Sequence, residues 1–422
     1  MKPLSSWILL LAILTLACCT RSEQQKKTVL AIPVYGQSLA LGEQAQRITD
    51  FDSLSWQCRH RVLTENLDEE FGYLSDTHFK QWSKKMLHDR HRAFELSVYG
   101  MSELVSKYLD SKGQGDSVVI CTFAGGQGAT SIVGLGRGSA PYKKFLEEIA
   151  SAHEEAKTRG WDFVVPAFCW MQGENDIVWK TSSNYKRDLK AFHNALNKDV
   201  KAITKQRRNV VCITYQTNCL TLAKDYIPDE YHGKGNYVPN GQLELITDDS
   251  LFMSSGPTYP YSFIDNSAHI DGLSQKRLGY MEGLCVMRLL EAKESKGLIP
   301  RQFRRSGDTV IIKYDVPNPP MVLDTEAVAR ADHYGFSVIN SANVNIIEKV
   351  MLLKDQVKLK CSQTPIQCKV RYAINGIRGK TGFKERARGN LRDSQGREYA
   401  ARIGKKEYPL HNWSHQFDVL IK

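Results

Sequence analysis

The chain has 422 residues, 42% of them hydrophobic and 24% charged. That balance excludes a disordered polymer, and the length exceeds one ordinary core, so two domains are expected. Lys and Arg outnumber Asp and Glu by 57 to 46 (net charge +11), but they are scattered without a basic helix or interleaved aromatics, so the excess reads as solvated surface rather than a nucleic-acid face.

Lys2 leads into an apolar run over residues 7–17, followed by Cys18 and Cys19. The run is short of the roughly 20 residues a membrane helix needs, so residues 1–19 read as a secretory leader. Its ending, LTLACCT, resembles a bacterial lipoprotein signal with Cys18 or Cys19 as the lipidated residue. The expectation is an exported protein that is lipid-anchored at the bacterial cell envelope, or secreted if the anchor is absent.

From residue 25 to 295 strand and helix patterns alternate. TVLAIPVY reads as a buried strand, and Met101, Leu104, Val105, Tyr108 and Leu109 recur at helical spacing. SVVICTF is the next strand, and Phe145, Ile149, Ala152 and Ala156 mark the next helix. DFVVPAFCWM is a strand, Tyr185 through Ile203 an amphipathic helix, NVVCITY a strand, and residues 275–293 a last helix. Continuous apolar strands joined by helices predict a three-layer α/β/α sandwich around a parallel sheet. Residues 42–95 and 220–265 show no clear period and read as long loops, the second as a wall or lid. From residue 300 to 422 short alternating runs separated by turn residues predict an antiparallel β-sandwich. Cys361 and Cys368 flank SQTPIQ between two such runs, a spacing that fits a hairpin disulfide in an oxidising compartment. No Cys/His spacing suits zinc.

Four stretches carry chemistry, each just after a strand or before the last helix. Ser38 stands on the turn after the first strand, where its hydroxyl faces the crevice above the sheet. FAGGQGATSI, residues 123–132, offers glycines whose N–H groups can face a ligand. CWMQGEND, residues 169–176, brings Gln172, whose side-chain NH2 suits a developing oxyanion. His269 lies on a polar loop with Asp265 and Asn266 close by. Each stretch alone reads equally well as a turn. Glu174 and Asp176, adjacent within one turn, cannot readily flank a glycosidic bond at the roughly 5–9.5 Å a glycosidase needs.

In this order the four stretches resemble the SGNH (GDSL-type) hydrolase superfamily, and within it the carbohydrate-esterase branch around sialate O-acetylesterases and acetylxylan esterases. The matching residues are Gly36-Gln37-Ser38, Gly128 to Ile132, Trp170 to Asp176, and His269. VRYAINGI…GNLRDS resembles a segment of the β-rich region of sialate O-acetylesterases. The resemblance implies a serine esterase that removes O-acetyl groups from carbohydrate. Ser38 is then the nucleophile and His269 the base. Ser38 N–H, Gly128 N–H and the Gln172 side chain form the oxyanion hole, with Gly126 as alternative to Gly128. Gln37 and Glu174 contact substrate. The branch usually places Asp three residues before its His, where this chain has Asn266, so Asp265 is the expected orienter, with Asn266 and then Asp271 as alternatives. The implied partner is an acetylated carbohydrate, with no metal, cofactor or nucleic acid, membrane contact only through the anchor, and a monomeric state. The competing readings are an SGNH esterase for non-carbohydrate acyl esters and a carbohydrate-binding protein on the same fold without turnover.

Overall fold

The computed structural model describes residues 26–48, 94–227 and 238–421, and the backbone of strands β3 (Val62–Asn66) and β4 (Glu69–Tyr73). The leader with Cys18 and Cys19 and most of the polar stretch after residue 48 lie outside the described residues.

The first three long strands are each cut into two. β1 (Thr28–Ala31) and β2 (Val34–Gly36) flank Pro33, β5 (Val118–Cys121) and β6 (Ala124–Gly126) flank Thr122 and Phe123, and β7 (Asp162–Val164) and β8 (Ala167–Met171) flank Pro166. The two prolines lack the N–H a ladder needs, so both breaks fall where proline sits. Pairing continues across the breaks: β1 lies parallel between β5 and β7, and β2 parallel between β6 and β8. β9 (Val211–Gln216) and β10 (Phe252–Pro257) extend the sheet beyond β8. β3 pairs parallel with β5 and carries antiparallel β4 at the edge, so the spatial order is β4, β3, β5/β6, β1/β2, β7/β8, β9, β10, a doubly wound sheet whose order reverses between the β1/β2 and β7/β8 positions.

Alternate residues feed two cores. Val29, Ala31, Tyr35, Phe168, Trp170 and Cys212 pack with helices α2 (Ala140–Thr158) and α4 (Tyr185–Thr204). Ile32, Val34, Ala167, Cys169, Met171 and Ile213 pack on the other face with α1 (Ser97–Ser111) and α6 (Gly272–Leu290). Between them α3 (Glu174–Trp179) follows β8 directly. Ser139 caps α2, Asn184 caps α4 and Asp271 caps α6, each side chain accepting a first-turn N–H. The three-layer α/β/α architecture is thus present.

The stretch 220–265 is not one loop. It holds α5 (Val238–Asp248) and the last strand of the sheet, β10. Pro239 and Gly241 mask the helix in sequence, and β10 reads FMSSGP, with only two apolar residues at its start.

From Ile299 the strands turn antiparallel. One sheet runs β11 (Ile299–Ser306), β12 (Thr309–Asp315), β16 (Gln356–Cys361), β15 (Ile347–Leu353), and another runs β14 (Phe336–Ile339), β17 (Cys368–Tyr372), β21 (Phe417–Ile421). Their inner faces share one apolar core containing Val310, Val338, Leu359, Val370 and Phe417. Cys361 and Cys368 are free buried thiols rather than a disulfide. They end and begin strands of different sheets, so the hairpin expected from their spacing does not form. Burial pushes the Cys361 thiol up to about 11.

A polar seam joins the antiparallel region to the end of β9. Gln416 N–H donates to Gln216 Oε1 at 2.7 Å, and Gln216 Nε2 returns a bond to Gln416 O at 2.9 Å. Asn218 Nδ2 donates to Ala387 O at 2.6 Å. All three side chains are buried, so the seam excludes water.

Candidate active site

The strand order reverses between β2 and β8, and the crevice beyond their carboxyl ends is where a doubly wound sheet holds ligands. Gly36 closes β2. A Cβ there would meet Met171 O at 2.0 Å, so only glycine lets β2 and β8 approach this closely. Gly126, at φ +127°, closes β6, and a Cβ there would meet Gly36 O at 1.9 Å. These contacts bring three strand ends together, and the chain turns sharply after each.

Ser38 stands two residues beyond β2. Its Oγ lies 2.8 Å from His269 Nε2. His269 comes from a hairpin between β10 and α6, closed by a Phe263–Ile270 bridge and by Ile264 N–H donating to His269 O at 2.8 Å. Two residues 231 positions apart therefore meet because the hairpin folds back over the turn after β2.

On the far side of the imidazole, Nδ1 lies 2.8 Å from Gln44 Oε1. Ser267 Oγ also donates to this oxygen at 3.2 Å and accepts from His269 N–H at 3.1 Å. An amide oxygen only accepts, so Nδ1 carries the proton and Nε2 presents its lone pair to Ser38 Oγ–H. Gln44 reaches this position from a left-handed backbone, φ 63°, rare for a residue with a side chain. Burial holds the His269 pKa below the ordinary value, while the Glu43 carboxylate pulls it partly back.

The orienter expected at Asp265 is not what this arrangement uses. Asp265 and Asn266 are exposed on the hairpin, and the Nδ1 partner is Gln44. Asp271 is committed as the α6 cap, accepting from Ser274 N–H at 2.8 Å. Gln44 lies in the polar stretch after residue 42, which has no period to flag it.

Gly128 sits beside the serine, and a Cβ on it would lie 3.9 Å from Ser38 Cβ. Gly126 is used within β6, so Gly128 is the loop glycine at the site. Neither the Ser38 nor the Gly128 N–H has a hydrogen-bond acceptor among the described residues, which leaves both free to donate to a ligand.

Gln172 is unsuited to the third donor position. It is fully buried, with Nε2 donating to Thr130 O at 3.2 Å and to Asp176 Oδ2, while Oε1 accepts from Tyr185 O–H at 2.8 Å. Both amide protons are spent on the protein. Asn175, three residues on, takes a half-buried position in the first turn of α3. Its N–H donates to Gln37 Oε1 at 3.2 Å, and its Nδ2 donates to Ala129 O at 2.9 Å, leaving one amide proton free beside the Gly128 turn. Gln37 is buried and braces α3. Glu174 is also turned inward, its Oε1 accepting from Tyr215 O–H at 2.7 Å and Thr217 O–H at 2.6 Å, and burial raises its pKa. The substrate contacts expected of Gln37 and Glu174 are therefore replaced by bracing. The signal for Asn175 is its place in the first turn after Gly173, where a side chain at a strand-to-helix turn faces the crevice.

Residues 77–216, which include the Gly128 turn and the whole Trp170–Asp176 stretch, match the family model described as carbohydrate esterase, sialic acid-specific acetylesterase. The match covers 140 of the 422 residues, a third of the chain. The chain is similar in structure to a carbohydrate acetylesterase from Xanthomonas citri, with TM-score 0.57 and 10% identity over 93% of this chain and 80% of that one. A protein of Arabidopsis thaliana aligns over 63% of this chain and 98% of its own length with TM-score 0.43 and 15% identity. NanS aligns over 64% and 98%, with TM-score 0.39 and 10% identity. No curated protein matches the sequence. The matched family supports a carboxylic ester hydrolase, and the similarity to the Xanthomonas structure supports the fold, a parallel-sheet α/β core with an antiparallel C-terminal region.

Proposed function

We propose that this protein is an exported serine esterase that removes O-acetyl groups from carbohydrate through an acetyl-Ser38 intermediate. The observation that carries the reading is the 2.8 Å contact between Ser38 Oγ and His269 Nε2 at the sheet's switch point. Ser38 Oγ attacks the acetyl carbonyl while His269 Nε2 takes its proton. Negative charge then develops on the carbonyl oxygen, facing the Ser38 N–H, the Gly128 N–H and the free Asn175 amide proton. Collapse breaks the bond to the sugar oxygen, which leaves with the proton from His269. A water then gives its proton to His269 and attacks the acetyl carbon, releasing acetate and restoring Ser38.

Gln44 holds the ring and its tautomer throughout but supplies no charge, so the imidazolium is stabilised mainly by the more distant Glu43. The substrate class, an O-acetylated glycan such as acetylated sialic acid or xylan, rests on the matched family and on the similarity to a carbohydrate acetylesterase. Export rests on the leader-like residues 1–19. The test is acetate release from acetylated glycans by wild type and Ser38→Ala: activity in the first and its loss in the second support the reading, and equal release by both ends it.

A further inference from the structure

The hairpin that delivers His269 is gripped from the antiparallel region. Arg386, from the loop between β17 and β18 (Leu391–Arg392), is 1% exposed. Its Nε donates to Tyr259 O at 2.9 Å, at the entrance of the hairpin. Its guanidinium carbon lies 5.4 Å from the ring centre of Phe263 and 5.4 Å from that of Phe383. Phe263 is the residue bridged to Ile270, the neighbour of His269. Tyr259 is held a second time, its hydroxyl donating to Ser414 O at 2.8 Å.

Arg386 is an expensive residue to bury here. Its Nη2 has no acceptor among the described residues, Nη1 reaches only Thr381 O at 3.5 Å, and burial lowers its pKa to about 10 despite the opposing Asp271 carboxylate. An apolar side chain would fill the same volume without an unsatisfied donor. The guanidinium instead holds a carbonyl and an aromatic ring at once, which an apolar chain cannot do.

Resting on the serine-esterase reading above, we propose that Arg386 is a positioning residue for His269: the antiparallel region completes the active site by clamping the Tyr259–Phe263 limb of the histidine hairpin. The region is then a part of the catalytic unit rather than a separable glycan-binding module. The charged group acting on His269 is Glu43 from the turn after β2, while Arg386 itself faces Arg388 and, at the hairpin base, Asp271.

The test is steady-state kinetics of full-length Arg386→Met and Arg386→Lys over a pH series. Misplacing a catalytic group by about 1 Å costs on the order of 10²-fold. Arg386→Met is expected to lose about 10- to 100-fold in kcat with KM within about twofold, and Arg386→Lys to regain part of it. The acid limb of kcat/KM should also move up toward the ordinary histidine value, because a loosened hairpin hydrates His269. A merely structural Arg386 would lower the unfolding temperature and leave the limb in place. A folded Arg386→Met with kcat within about twofold of wild type, or with an unmoved limb, overturns the proposal. If Arg386→Met does not fold, Arg386→Lys decides by the same two readouts. Failure of the serine reading itself shows separately, as acetate release that survives Ser38→Ala.

Discussion

Gln44 Oε1 lies 2.8 Å from His269 Nδ1, so a neutral amide occupies the place beside the base that a carboxylate was expected to fill. This orients the ring as well as an Asp would but gives the imidazolium less electrostatic support. Gln44→Ala should lower kcat by about 10- to 100-fold with little change in KM, since only the placement of the base is lost. Gln44→Glu should stay active and move the acid limb of kcat/KM to higher pH, because a nearby carboxylate favours the protonated imidazole. Asp265→Asn should remain within about threefold of wild type in kcat, as an exposed side chain away from Nδ1 has little to contribute. Kinetics of the three variants across pH check this.

The pH profile of the wild type carries its own sign. Burial lowers the His269 pKa, so the base stays neutral to lower pH than a free histidine. The acid limb of kcat/KM is expected below about 6.5, the ordinary histidine value. A limb at or above that value would mean that the imidazole is solvated in the working enzyme.

Asn175 and Gln172 separate donation from bracing. Asn175→Ala should cost about 10²–10³ in kcat, the usual effect of removing one oxyanion donor, with the unfolding temperature nearly unchanged. Gln172→Ala should act mainly on stability, because it strands buried Asp176 and Tyr185. Paired kinetics and thermal unfolding of both variants distinguish the two roles.

Glu282 gives a stability prediction. It is buried beneath the sheet and its pKa is raised from 4.5 to about 8 by desolvation, so the folded state keeps a proton that the unfolded state releases above 4.5. Between those two pH values the folded state binds more protons, and its stability falls as pH rises. Glu282→Gln should flatten that fall, making the variant relatively more stable at pH 8 than at pH 5. Chemical denaturation at the two pH values reads the difference directly.

The sheet was legible because its strands are continuous apolar runs, and their period places Val29, Ala31 and Tyr35 on one face and Ile32 and Val34 on the other. Ser38, Gly128 and His269 were legible because a polar residue or glycine just past a buried strand, or just before a helix, has few other places to point. Gln172 was misread because residue type alone cannot tell an amide facing the crevice from one whose protons are spent on Thr130 and Asp176. Gln44 was hidden because its reach depends on a left-handed bend within an aperiodic stretch. β10 was missed because Ser254, Ser255 and Gly256 interrupt its apolar pattern, yet the strand is buried along its whole length.

The claim on which the mechanism depends is that Ser38 carries the acyl group. Intact and peptide mass spectrometry after a fluorophosphonate probe tests it most directly. One adduct, mapped to Ser38 and absent from a folded Ser38→Ala, is the expected result. An adduct on another residue, or labelling that persists in folded Ser38→Ala, would contradict it.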